Sequence, residues 1–135
     1  WTESYAPPPD QAPPHGQEIL QVWFPGVHAD IGGGYPEPGL ADLTLSWMVG
    51  ELREKAPELA FAPASDWRFE LAPDPAAAMH DERRHVYRIW RHHYRTIKPG
   101  ARVHESALKR RELKASYRPP NLPDEVSAEG VNSEG

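Results

Sequence analysis

The sequence predicts an α/β domain. Two observations carry that expectation. The run Ile19-Leu20-Gln21-Val22-Trp23-Phe24 is apolar nearly throughout and is halted by Pro25-Gly26. A run that does not alternate fits a strand covered on both faces, as in a parallel sheet. After a glycine-rich stretch, Gly32-Gly33-Gly34, comes a helical segment from about Leu40 to Lys55, ended by Pro57. Strand, tight loop and helix in that order make a β–loop–α unit.

The flanking elements follow from composition. A chain of 135 residues fits one domain, the usual unit being roughly 100–200 residues. Sixteen prolines and ten glycines interrupt it, and its 39% hydrophobic content lies below the usual ~45–50%, so the core is concentrated in part of the chain. Residues 1–16 hold five prolines and almost no apolar residues, which predicts an extended connector. Residues 124–135 are acidic and polar, which predicts a disordered tail. The folded portion is then about 17–123.

Within it, Asp42 falls in the first turn of the central helix, where a negative charge suits the helix dipole. Leu40, Leu43, Leu45, Trp47, Met48, Val49 and Leu52 spread over about two thirds of the helical wheel at ~100° per residue, which predicts a largely buried helix. Trp67 to Leu71 alternates and reads as a short strand or extended segment. Asp74-Pro75-Ala76 reads as a helix start, Asp81 to Tyr94 as a second helical region and Lys98-Pro99-Gly100 as a turn. Val103 to Lys114 is a short helix with basic residues toward its end. Tyr117-Arg118-Pro119-Pro120-Asn121-Leu122-Pro123 is too proline-rich for regular structure.

Several function classes drop out. Without cysteine there is no disulfide scaffold, thiolate zinc site or cysteine nucleophile. No apolar run approaches the ~20 residues that span a bilayer. No signal peptide is visible, so the location is left open between the cytoplasm and export by a signal-peptide-independent route. A net charge of −5 disfavours nucleic acid as a partner. The run from Arg83 to Arg95 is basic and aromatic: on a helix, Tyr87, Trp90 and Tyr94 share a face beside Arg84, Arg88, Arg91 and Arg95. Such a stripe either contacts an anionic surface or snorkels to water above packed aromatics. His80 and His85 lie five apart and His92 and His93 are adjacent, which misses the i, i+4 spacing of a helical zinc site. His28 and Asp30 alone do not define a metal site. No metal or other cofactor is expected.

The segment Gly26-Val27-His28-Ala29-Asp30-Ile31-Gly32-Gly33-Gly34-Tyr35 is where chemistry is expected. His28 lies just beyond a strand end, where open α/β sheets place their sites. A triad needs a nucleophile, a base histidine and a carboxylate that orients it. In the other reading His28 packs and bonds to backbone, while Asp30 fixes the turn or caps the helix.

The block Gln21 to Tyr35 closely resembles a hallmark of an uncharacterised α/β-hydrolase-like family that includes phospholipase effectors of type VI secretion. Leu40 to Met48 resembles the helix after that block, Val103-His104-Glu105-Ser106-Ala107-Leu108-Lys109-Arg110-Arg111 a late His-x-Ser motif, and Tyr117 to Pro123 the closing segment. The resemblance covers about residues 17–123. It implies the C-terminal part of a mostly parallel hydrolase sheet and ester hydrolysis, with a lipid or other ester as substrate. Two family features do not occur: the early Asp-Gly-Thr strand and the Gly-Phe-Ser-Arg-Gly nucleophile elbow. None of Ser4, Ser46, Ser65, Ser106, Ser116, Ser127 and Ser133 lies in Gly-x-Ser-x-Gly. The expected partner is therefore the N-terminal half of the same domain, and the chain alone is expected to be inactive. His28 is the favoured base. In the rival assignment Asp30 is the carboxylate and His104 the base, although Ser106 can equally cap a helix behind a surface His104. The alternative function is a non-catalytic interaction module of a larger secreted or toxin-like protein.

Overall fold

The structure is a computed structural model that describes residues 18–62, 70–81, 94–122 and 128–129. Its elements run β1 (Val22–Trp23), α1 (His28–Gly32), α2 (Gly39–Lys55), β2 (Arg102–His104), α3 (Glu105–Leu113) and β3 (Ala128–Glu129). The strands form one parallel sheet in the order β1-β2-β3. Parallel neighbours joined through helices place the chain in the α/β class, with a small sheet.

Val103 is the centre of that sheet. It pairs with Trp23 on one side and Ala128 on the other, and it is 1% exposed. This corrects the expected helix start at Val103. A β-branched residue with a ladder on both flanks is extended, and the helix begins two residues later. His104 is its N-cap, its ring Nδ1 accepting the Ser106 backbone N–H at 3.3 Å. β1 is also shorter than the expected strand. Its pairing covers Val22 and Trp23 only, and Ile19 is exposed. β3 lies inside the tail whose composition predicts disorder; there the backbone pairs with β2.

α2 follows the expected bounds within one residue. Asp42 sits in its first turn, and the Ala56 N–H bonds to the Leu52 carbonyl just before Pro57. Its burial differs from expectation. Leu40 and Thr44 are buried and Trp47 packs edge-on against Phe24 at 5.4 Å, yet Leu45, Met48 and Leu52 are exposed. The element neighbour of α2 is the short α1, with residues 72–77 against its first turn, and these cover only part of a 17-residue helix.

Residues 70–81 take no regular structure apart from a turn. Asp74 does not start a helix. Its Oδ1 accepts the Ala76 N–H at 2.7 Å, closing a local turn. The segment is fastened to three helices, to α1 through His80 and to α2 and α3 as follows. Ala72 donates to Asp42 Oδ2 at 2.8 Å and Asp74 to the Gly39 carbonyl at 3.0 Å. Arg110 of α3, 5% exposed, donates from Nη1 to the carbonyls of Pro75 and Ala77 at 2.7 and 2.8 Å. Lys98-Pro99-Gly100 is a turn as expected, with Gly100 at φ +81°. Tyr117 to Leu122 is irregular, as its prolines require. The connector 1–16, residues 82–93 of the expected second helix with Arg84, Arg88 and Arg91, and residues 67–69 of the Trp67 to Leu71 run lie outside the described residues, whereas Arg95 of the basic stripe is described and takes irregular backbone, its carbonyl accepting from Asn121 Nδ2 at 2.9 Å.

Candidate functional site

The glycine-rich stretch after β1 is not all loop. Residues His28–Gly32 make one turn of helix, α1. His28 and Asp30 are two apart on it, so their side chains leave on roughly opposite sides, ~200° apart. His28 is exposed and Asp30 is 4% exposed.

Asp30 is the focus of the site. Its Oδ2 accepts the Val27 N–H at 3.0 Å, closing the start of α1. The same oxygen accepts the His80 backbone N–H at 3.1 Å, and Oδ1 lies 2.8 Å from His80 Nδ1. An ionised carboxylate only accepts, so Nδ1 carries the proton and donates. Gly26 makes room for this. It adopts φ +133°, and a Cβ there would stand 2.7 Å from the Asp30 Cβ.

His80 is held on three sides. Its backbone and Nδ1 bind Asp30. Its ring stacks on Tyr35, with centroids 3.6 Å apart and planes at 16°. Its Nε2 lies 3.6 Å from Glu37 Oε2, beyond hydrogen-bond length, and the Glu37 side chain is 56% exposed. One edge of the imidazole thus meets the buried Asp30 carboxylate, and the other nitrogen faces the exposed carboxylate of Glu37. That arrangement can take up and return a proton at Nε2 while Asp30 fixes the tautomer.

His104 has a different setting. It is 2% exposed, stacks on Phe24 at 4.4 Å and bonds through Nδ1 to Ser106, whose Oγ lies 2.8 Å away. Because Nδ1 accepts a backbone N–H there, its proton is on Nε2. Among the described residues, the hydrogen-bond partners of the Asp30 carboxylate are Val27 and His80, and neither His28 nor His104 is one of them. Sequence reasoning singled out Asp30 but met His80 only in a test of metal spacing. The two are 50 residues apart, and no local pattern joins them. Among the described residues no group of three or more His, Asp or Glu side chains is placed to hold a metal ion, and no helix is long and apolar enough to cross a membrane.

A family model described as T6SS, phospholipase effector Tle1-like, catalytic domain matches residues 2–51. That stretch contains β1, α1 and the greater part of α2, with His28 and Asp30; His80 and His104 lie beyond it. An uncharacterized protein of Saccharomyces cerevisiae is 41% identical over 39 residues, which cover 25% of this chain and 6% of that protein. The chain thus spans a small fraction of the length of this curated relative. No solved structure matches.

Proposed function

We propose that residues 17–123 are the C-terminal, carboxylate- and histidine-bearing portion of a serine hydrolase that cleaves acyl esters, phospholipids among them. The nucleophile comes from residues outside this chain. The single observation behind this reading is the buried Asp30 carboxylate just after a parallel strand, bonded to an imidazole Nδ1. An orienting carboxylate in a triad makes that bond. The match to the phospholipase effector catalytic domain over residues 2–51 supports ester hydrolysis and a lipid substrate.

In such a site a histidine takes the proton of a hydroxyl nucleophile and later returns it to the leaving alcohol. The carboxylate stabilises the imidazolium that forms in between. The sequence nominates His28 first and His104 second as that base. Asp30 is the orienting carboxylate of the second assignment, and its burial and its bond to an imidazole favour it in that role.

The alternative is a non-catalytic interaction module. The exposed Leu45, Met48 and Leu52 on α2, three and seven residues apart on one helical face, favour it. Hydrolysis of p-nitrophenyl and phospholipid esters separates the two readings. The 135-residue chain alone should show no turnover above buffer, because none of its seven serines sits in a nucleophile elbow. The full reading frame containing it should hydrolyse these esters. A full reading frame that has no serine elbow, or that is folded and inert, leaves only the module.

A further inference from the structure

We propose that His80 is the general base of this site and that Asp30 is the residue that positions it. The proposal rests on the acyl-transfer reading above and names the imidazole that reading leaves open.

A base histidine in acyl transfer needs one ring nitrogen tied to a buried carboxylate and the other directed to where a nucleophile can come. His80 has its Nδ1 at 2.8 Å from the Asp30 carboxylate, which is 2% exposed, and its own side chain remains 24% exposed. His104 has its Nδ1 engaged by Ser106 rather than by an acid. His28 leaves α1 on the side away from Asp30.

The ring of His80 is also held in orientation. Tyr35 covers one face, and the backbone N–H of His80 shares the same carboxylate. The 70–81 segment that carries it is fastened by Asp42, Gly39 and Arg110. An imidazole fixed through backbone, ring face and Nδ1 loses little further freedom on reacting, which is the condition for efficient proton transfer.

His80 Nε2 takes the proton of a serine-type hydroxyl supplied from outside this chain. The hydroxyl oxygen bonds the acyl carbon of the ester, and the carbonyl π pair moves onto its oxygen. As that pair returns, the alcohol leaves, taking the proton from Nε2. Water then repeats the sequence on the acyl-enzyme, releasing the carboxylic acid and restoring the hydroxyl. Asp30 stays ionised throughout and opposes the positive charge on the ring.

The test pairs kinetics on the full reading frame with ring ¹⁵N spectra of the 135-residue chain. His80→Gln and His80→Ala should each lower kcat ~10⁴-fold with KM within about threefold, and thermal melts should show a folded protein. Asp30→Asn should lower kcat and change the pH–rate profile, since an amide cannot hold the same tautomer. His28→Ala should cost far less than His80→Ala, and the reverse order overturns the assignment. In the spectra, His80 should carry its proton on Nδ1 in the wild type and lose that preference in Asp30→Asn. An active wild type whose folded His80→Ala and His80→Gln variants retain turnover overturns the assignment of His80 alone. So does a wild-type His80 protonated only on Nε2 when neutral. A folded wild type that hydrolyses no ester overturns the acyl-transfer reading itself, and the base falls with it.

Discussion

At Gly26 a single hydrogen atom decides the geometry of the site. The residue sits at φ +133°, a region L-residues rarely enter, and a Cβ would press to 2.7 Å from that of Asp30. Both effects act in the same direction. Gly26→Ala should destabilise the chain by about 1–3 kcal/mol, the range for a residue held in a strained backbone region, and should weaken the Asp30–His80 bond. Denaturant melts measure the first, and the His80 ring ¹⁵N shifts the second. An unchanged midpoint with an unchanged His80 spectrum would show that Asp30 can move aside without cost. Residue-level legibility was uneven here. Asp30 stood out because it follows a strand within a glycine-rich block. Its partner did not, because a hydrogen bond across 50 residues leaves no trace in local spacing. His28 attracted notice for its position, but the one turn of α1 separates its direction from that of Asp30.

At the scale of elements, the irregular segment 70–81 does what a loop must do to carry a positioned side chain. Apart from the turn that closes on Asp74, it ties its backbone at Ala72, Asp74, Pro75, Ala77 and His80 to the neighbouring helices. Arg110 is the main fastening. Its guanidinium is buried, donates to two carbonyls of the segment and lies 5.4 Å from the centre of the Tyr117 ring. Burial pushes the Tyr117 phenol above its usual range, and the charge of Arg110 draws it partly back. Arg110→Ala removes two charge-assisted hydrogen bonds at ~1.5–3 kcal/mol each before relaxation. A loss of about 3 kcal/mol in urea unfolding is expected, with faster amide exchange across residues 72–80. If exchange in that segment is unaltered, Arg110 is not what holds it. The elements also show where sequence patterns mislead. Asp74-Pro75-Ala76 has the residues of a helix start, yet the Asp74 carboxylate bonds two residues on and closes a turn. Val103 begins a run with helical composition, but the parallel partners of β2 claim Val103 and His104 first. Local propensity was right for α2, whose 17 residues outlast any competing contact, and for the Lys98-Pro99-Gly100 turn.

Over the whole molecule, the α/β class was legible because an apolar run stopped by Pro-Gly and a long apolar helix are strong local signals, although β1 is a half-buried edge strand rather than one covered on both faces. The extent of the sheet was not, because strand length depends on what pairs with it. The result is a helix with more apolar surface than α1 and its other described neighbours cover. Leu40 is 2% exposed and Met48 is 48% exposed, although both lie on α2. The difference in burial sets a difference in energetic weight. Truncating a fully buried leucine typically costs ~2–5 kcal/mol through lost transfer energy and the cavity left behind. A half-exposed methionine at a surface row gives back little when replaced, within ~0.5 kcal/mol. In the 135-residue chain, Leu40→Ala should therefore lower stability severely, while Met48→Gln and Leu45→Gln should leave the urea midpoint almost unchanged. In the full reading frame the proposed hydrolase half supplies further sheet, and the same polar substitutions on α2 should then cost well over 1 kcal/mol if that half covers this face. Urea titrations of both proteins with the three variants measure the contrast. Equal, small effects of Met48→Gln in the two contexts would leave the Leu45, Met48 and Leu52 row uncovered in both, and would turn the argument toward the interaction module.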